Sequence, residues 1–426
     1  MSSITLFPKF PKRGAVPVYL LITAGFSFCF ALITTVNLIY QATVAGLTPL
    51  QLVLVGTLLE ITCFFFEVPT GIVADVYSRR LSVIIGYALI GVGFLVEGLF
   101  PVFGAILLAQ VIWGIGVTFT SGAETAWLID EVGEGHSAPI LLRASQVGSL
   151  GGLAGIFAAA LIASVMPINI PIVIGAALLI ALSLGLALIM PETGFHPAPR
   201  ETRENALTTM IKTLRAGSRL VRGRPLLMVL FAVVFFGGLY SEGFDRLWTP
   251  HLLTNFTFPA ADSLDPVLWF GALRAGAMIF SILLTEVVHR RTTDMRDQRH
   301  LLRAVFIGDA VLIGSLFVFA LTGNFWIAVA AFLISQAVRS SFSPLFSAWS
   351  NMHIDSEVRA TTLSMMAQMD AIGQIGGGPG IGVVGERLGL RAALAASTAL
   401  LLPVLPLYAL AGRLVRGKRL SHNDES

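Results

Sequence analysis

Apolar runs of about 20 residues, each closed by polar residues, Pro or Gly, recur along almost the whole chain. Coiled into a helix, a run of that length spans the hydrocarbon core of a bilayer. The runs lie near 17–42, 50–74, 81–100, 103–128, 138–166 and 170–190, and after a polar stretch near 225–250, 266–288, 301–322, 325–349, 357–384 and 390–412. Twelve transmembrane helices are therefore expected. Composition agrees, with 55% of the 426 residues hydrophobic and 12% charged, whereas a soluble domain carries about a quarter charged residues. A barrel is excluded, because the runs are far longer than barrel strands and do not alternate.

The first run follows Lys9, Lys12 and Arg13 as a signal peptide would. It is too long for a signal core and has no small-residue cleavage pattern after it, so it reads as an uncleaved first span. Cys29 and Cys63 lie inside apolar runs and read as small buried fillers, and the seven histidines show no metal-ligand spacing. No metal or other cofactor is expected.

Basic residues set the expected orientation. They gather at the N-terminus, after span 2 (Arg79, Arg80), at the start of span 5 (Arg143), after span 6 (Arg200 to Arg224), after span 8 (Arg290 to Arg303) and at the C-terminus. With twelve spans and both termini in the cytoplasm these all fall on one side, apart from Arg387 and Arg391, which are read as snorkelling at the bilayer edge. The net charge of +3 is thus a matter of topology, and no nucleic-acid partner is expected. A multi-pass protein of the cell (inner) membrane is expected.

The polar stretch divides the chain into an N-terminal bundle (1–190), a linker (191–224), a C-terminal bundle (225–413) and a tail (414–426). Within the linker, Leu207, Met210, Ile211, Leu214 and Leu220 recur at helical spacing among basic residues. An amphipathic helix on the membrane surface and a solvated linker both fit this pattern. The two halves echo each other. Asp75-Val-Tyr-Ser-Arg79-Arg80 ends span 2 and Glu286-Val-Val-His-Arg290-Arg291 ends span 8; Arg143-Ala144-Ser145 opens span 5 and Arg359-Ala360-Thr361 opens span 11; Ala126-Trp127 and Ala348-Trp349 close spans 4 and 10. Parallel six-helix repeats that bind substrate near the midplane are a transporter plan.

Gly71-Ile-Val-Ala-Asp75-Val-Tyr-Ser-Arg79-Arg80 resembles the loop motif of the major facilitator superfamily, G-x-x-x-D-x-x-x-R-[RK], in the loop between spans 2 and 3 where that family carries it. The resemblance implies an all-α membrane protein with twelve transmembrane helices in two pseudo-symmetric six-helix bundles. It also implies a gating cluster of Gly71, Asp75, Arg79 and Arg80, with Glu286 and Arg290 as the second-half counterpart. Gly71 is expected to permit close helix approach, Asp75 to accept from free amides at a helix start, and the arginines to meet acids or helix carbonyl ends. Glu67-x-Pro69-Thr70-Gly71, Ser121-Gly-Ala-Glu124 and Arg359-Ala-Thr361 resemble the drug-efflux branches that include macrolide and tetracycline exporters. Two departures stand against that narrower likeness: Gln110 occupies the place of an arginine in span 4, and Leu153 that of a proline in span 5.

Charges inside spans are costly and face cavities or partners. Glu60, Glu242, Asp245 and Asp370 are the proton-coupling candidates, since a carboxylate in a partly dry cavity favours its protonated form and can load and release a proton. Asp370 is alternatively a structural partner of Arg339 or Arg274, and Arg246 is expected to neutralise Glu242 or Asp245. The family plan puts spans 1, 4, 7 and 10 around the cavity and spans 3, 6, 9 and 12 outside. That gives Phe26, Phe30, Asn37, Gln110, Trp113, Phe236, Tyr240 and Arg339 as substrate-cavity candidates, with Gln374 of span 11 beside them, and makes Glu97 and Asp309 peripheral. Aromatic walls with few acids suit amphipathic, often cationic compounds. Gly380-Ile-Gly382-Val-Val-Gly385 matches a dinucleotide fingerprint but lies inside a span with no strand before it. The expectation is a monomeric secondary transporter and not an enzyme, with a small-molecule substrate, protons or another coupling ion, and the lipid bilayer as partners. The efflux reading has two rivals: an importer or a metabolite or siderophore exporter on the same fold, and a membrane enzyme or sensor reusing it.

Overall fold

The computed structural model describes residues 14–197, 224–259, 265–292, 298–355 and 358–423. The N-terminal basic trio, Arg296 and the amphipathic pattern of 204–222 lie outside the described residues. Helices fill nearly all of the rest. Spans 1 to 3 are Ala15–Thr43, Pro49–Val76 and Arg79–Leu99. Span 4 is two helices, Phe103–Thr120 and Ala123–Val132, and spans 5 and 6 are Glu134–Ala163 and Ile170–Ile189. Spans 7 to 11 are Pro225–Asn255, Pro266–Thr292, Gln298–Leu321, Phe325–Asn351 and Arg359–Leu388. Span 12 is again two helices, Leu390–Leu401 and Val404–Asn423.

Among the described residues, eleven of these spans are long and apolar enough to cross a membrane. The exception is span 11, whose 30 residues include Gln368, Asp370, Gln374 and many glycines. Side chains that would be wrong on a soluble surface fit the membrane reading: Leu188 is 87% exposed and Val165 78%. Span 4 breaks where Gly122 adopts a left-handed φ of 70°, a conformation glycine enters without a Cβ penalty. Ser78 starts span 3 by accepting from Leu81 N, and Asn324 starts span 10 by accepting from Trp326 N and Ile327 N, each satisfying amides that the first turn leaves open.

The chain forms two compact units. One holds the described residues of Met1–Asn37 and Phe65–Ala206, the other those of Leu38–Phe64 and Leu207–Ser426. The assignment of Leu38–Phe64 differs from a division at the linker alone. The reason is close packing: a Cβ on Gly382 would stand 3.1 Å from Leu50 Cα and one on Gly385 2.9 Å from Pro49 Cβ, so the start of span 2 lies directly on span 11.

In the first unit an aromatic chain runs through the packing. Phe26 stacks on Phe30 at 5.3 Å, Phe30 meets Phe94 and Trp113, and Phe94 stacks on Trp113 at 4.9 Å. In the second unit Trp248 stacks on Phe332 at 4.5 Å and meets Phe270. Trp127 and Trp349, the paired span ends of the two halves, are both buried.

Candidate functional site

Span 7 turns a run of polar side chains inward in the second unit. Tyr240, Ser241 and Asp245 line a cavity of about 420 Å³, with Asp309 of span 9, Arg339 and Ser343 of span 10, Asp370 and Gln374 of span 11 and Tyr408 of span 12 completing its polar wall. Its strongest contact is two-pronged: Arg339 Nη1 donates to Asp245 Oδ1 at 2.5 Å and Nη2 to Oδ2 at 2.8 Å. The same guanidinium lies 5.7 Å from the Tyr240 ring centre. Asp370 accepts from Gln374 Nε2 at 2.8 Å and Asp309 from Tyr408 Oη at 2.7 Å. Three carboxylates thus face one guanidinium, and that guanidinium is held by one of them.

Span 11 reaches this wall because it lies backbone-to-backbone on span 7. Gly238 rests on the Asp370 carbonyl, Gly373 on the Phe235 carbonyl and Gly377 on the Leu239 carbonyl, each too near for a Cβ. Small residues at such a crossing let polar side chains on either flank meet.

The structure sorts the embedded charges. Arg339 pairs with Asp245 and not with Asp370, which accepts from its own-helix neighbour Gln374. Arg246 binds Glu242, Nε to Oε1 at 2.9 Å. Glu60 belongs to the same unit on span 2. Asp309 is not peripheral, because span 9 turns it onto the cavity wall. Glu97 is fully buried and accepts from Gln110 Nε2 at 3.2 Å. Gln110, 1% exposed, also accepts from Trp113 Nε1 at 2.9 Å, so it serves the interior of the first unit. Phe26, Phe30 and Trp113 belong to the aromatic chain there. Asn37 Oδ1 is buried with no partner, and Phe236 packs on Phe235 at 5.7 Å.

The loop after span 2 also departs from expectation in part. A Cβ on Gly71 would meet no described atom within 4 Å, so close helix approach is not what glycine supplies there in this structure. Asp75 is 63% exposed and 3.8 Å from Arg79. The carboxylate that caps the start of span 3 is instead Glu192, which accepts from Ser78 Oγ at 2.7 Å and Arg80 N at 2.9 Å. Arg79 Nη1 binds Asp130 at 2.6 Å and Arg80 Nη2 donates to the Ala187 carbonyl in the last turn of span 6. Glu131 accepts from Thr193 N, Thr193 Oγ1 and Gly194 N, and Trp127 Nε1 donates to the Pro191 carbonyl. The 191–194 segment is thereby pinned to the end of span 4. In the second half Glu286 and Arg290 pair at 2.6 Å on an exposed turn.

A family profile described as "Major Facilitator Superfamily" matches residues 18–378. The chain belongs to the major facilitator superfamily. It is 22% identical over 367 residues, 84% of this chain and 86% of the other, to the "Uncharacterized MFS-type transporter YxaM" of Bacillus subtilis (strain 168). Crystal structures with the same fold include a mutant of the nucleoside transporter NupG, with a TM-score of 0.76, 16% identity and coverage of 93% of this chain and 99% of that one. They also include a POT family transporter in complex with a thioalcohol conjugated peptide, at 0.74, 12%, 96% and 98%. A bacterial homologue of the human lysosomal transporter Spinster matches at 0.70, 16%, 95% and 98%. Identities this low establish the fold alone.

As a member of this superfamily the chain is a multi-pass membrane protein, all-α with two pseudo-symmetric bundles, and a secondary transporter that moves small molecules across the bilayer by alternating access. The family is one of transporters and not of enzymes. Among the described residues no group of three His, Cys, Asp or Glu side chains is placed to hold a metal ion.

Proposed function

We propose that this transporter exports small amphipathic cations in exchange for protons, a multidrug-type efflux activity. The observation that carries this reading is the cavity's charge inventory. Among the described residues, Asp245, Asp309 and Asp370 line it with Arg339 as the one lining cation, which is already paired with Asp245, while Arg274 acts on Asp245 from outside the wall. A site with surplus carboxylate, bordered by Tyr240 and Tyr408, suits a cation that also carries apolar surface. The coupling proton is assigned to the acids of the second unit, Asp370, Asp245, Glu242 and Glu60. The resemblance of the Glu67-to-Arg80 and Ser121-to-Glu124 stretches to exporter sequences supports the outward direction.

In this reading both termini are cytoplasmic and the protein works as a monomer in the cell membrane. Residues 1–190 and 225–413 form the halves that alternate. Gly71, Asp75, Arg79 and Arg80 gate the first half and Glu286 and Arg290 the second, with Arg79 acting through Asp130. Of the substrate-cavity candidates, Tyr240, Arg339 and Gln374 line the cavity of the second unit; Phe236 is assigned to that unit as well, and Phe26, Phe30, Asn37, Gln110 and Trp113 to the packing of the first.

The test is flux into proteoliposomes of purified protein under an imposed pH gradient, with ethidium as the probe. Gradient-driven ethidium accumulation, abolished when the gradient is collapsed, is expected. Movement of ethidium with the protons rather than against them would indicate an importer, and no movement of any amphipathic cation would refute the substrate class.

A further inference from the structure

A carboxylate–guanidinium pair presses on span 2 where it crosses spans 7 and 11, beside a second carboxylate on span 2 and outside the wall of the cavity just described. Glu242, 4% exposed at its side chain, accepts from Arg246 Nε at 2.9 Å. Both side chains press against span 2 at Gly56, where Glu242 Oε1 and Arg246 Nε take up the space of a Cβ. Glu60 stands four residues further on the same face of that helix. Span 11 closes the third side through Gly378. A Cβ there would lie 2.7 Å from Thr57 Oγ1 and 3.2 Å from Glu242 Cγ.

The charged groups within electrostatic reach of Glu60 are Glu242, Arg246, Asp370 and Asp245. Those acting on Glu242 are Arg246, Asp245 and Arg339. Asp245 and Arg339 hold each other, so Glu60 and Glu242 are left to share Arg246. With both acids ionised the crossing carries one uncompensated negative charge inside the membrane, an expensive state that one proton removes. Thr57 supplies the matching partner. It is 5% exposed, and its Oγ1 is buried with no hydrogen-bond partner. A protonated carboxyl is a donor, and a hydroxyl oxygen is an acceptor for it. Glu60, Thr57, Glu242 and Arg246 are all absent from the cavity wall.

We propose that Glu60 and Glu242 share the proton exchanged in each transport cycle, at a site separate from the substrate cavity, with Thr57 accepting from the protonated carboxyl. The two acids sit on different spans, so gain or loss of the proton changes how firmly span 2 holds to spans 7 and 11. This deepens the proton-coupled reading above and rests on it.

The test compares wild type, Glu60→Gln, Glu60→Asp and Thr57→Val in proteoliposomes. The readouts are ethidium accumulation driven by a pH gradient, accumulation driven by a Na⁺ gradient, and ethidium counterflow with no ion gradient. Glu60→Gln is expected to lose pH-driven accumulation at least ~10-fold while keeping counterflow within ~2-fold, because a titratable group worth more than about 1.4 kcal/mol of coupling is removed and the cavity is untouched. Glu60→Asp restores part of the accumulation, and Thr57→Val shifts the pH midpoint of transport downward. Full pH-driven accumulation by Glu60→Gln overturns the proposal, as does loss of counterflow in a variant that still elutes as one folded species, or a wild type driven by Na⁺ and not by pH. A wild type that moves ethidium under neither gradient refutes the underlying transport reading instead.

Discussion

Neutralising Asp245 and neutralising Arg339 are expected to move cation binding in opposite directions, although the two side chains form one ion pair. The pair has two short bonds, at 2.5 and 2.8 Å, and its side chains are 36% and 39% exposed. Asp245→Asn leaves an unpaired guanidinium in the cavity wall. A bound cation about 6 Å away would feel roughly 3 kcal/mol of repulsion at an effective dielectric of about 20. The exposure of both groups screens that to about 1–2 kcal/mol, or roughly 5–30-fold weaker binding. Arg339→Gln removes the bonded counter-charge of Asp245, leaving Arg274 to act on it from outside the cavity wall, and should tighten the same cation by a similar or smaller factor, with the double variant close to wild type. Ethidium binding to purified protein in detergent, followed by fluorescence anisotropy at low and high salt, measures all four states. The differences should shrink as salt rises. Weakening of similar size in both single variants would refute the reasoning, because it would mean that the pair acts through geometry and not through charge.

Three further outcomes are expected. Gly377→Ala drives a methyl into the Leu239 carbonyl and should destabilise the purified protein by about 1–3 kcal/mol; Gly376→Ala, which meets nothing within 4 Å, should leave the melting temperature unchanged or raise it. Asp309→Asn keeps the shape of the contact to Tyr408 but removes a carboxylate from the cavity wall, so ethidium affinity should fall several-fold, roughly 1 kcal/mol, while melting changes little. Glu131→Gln removes the charge that holds the amides of Thr193 and Gly194, and hydrogen exchange at those two positions should speed up about 10-fold, equivalent to about 1.4 kcal/mol.

The spans were legible because the bilayer imposes one length on every crossing, and apolar runs record it. Glu60, Glu242, Asp245 and Asp370 stood out for the same reason, since a charge inside an apolar run needs a cause. Of their partners, Arg246 was legible as the group that neutralises Glu242 or Asp245, and it holds Glu242; the partner of Arg339 was not. Whether Arg339 meets Asp245 or Asp370 depends on how far spans 7 and 11 close on each other, and the backbone contacts of Gly238, Gly373 and Gly377 set that distance. Asp309 was misplaced because a family plan assigns whole helices to positions, while one face of an outer helix still points inward. The capping role expected of Asp75 belongs to Glu192, a residue brought to span 3 from the end of span 6 by the fold. The break in span 4 left a trace in Ser121-Gly122, but a glycine within an apolar run more often marks helix packing than a left-handed turn.

The most direct test of proton-coupled cation exchange runs the coupling backwards. Proteoliposomes at equal pH on both sides, with the membrane potential clamped, are given an ethidium gradient while a lumenal indicator records pH. Ethidium entering down its gradient should drive protons out and make the lumen alkaline, and Glu60→Gln should abolish the pH change. Ethidium that equilibrates through the wild-type protein with no change in lumenal pH would contradict the claim.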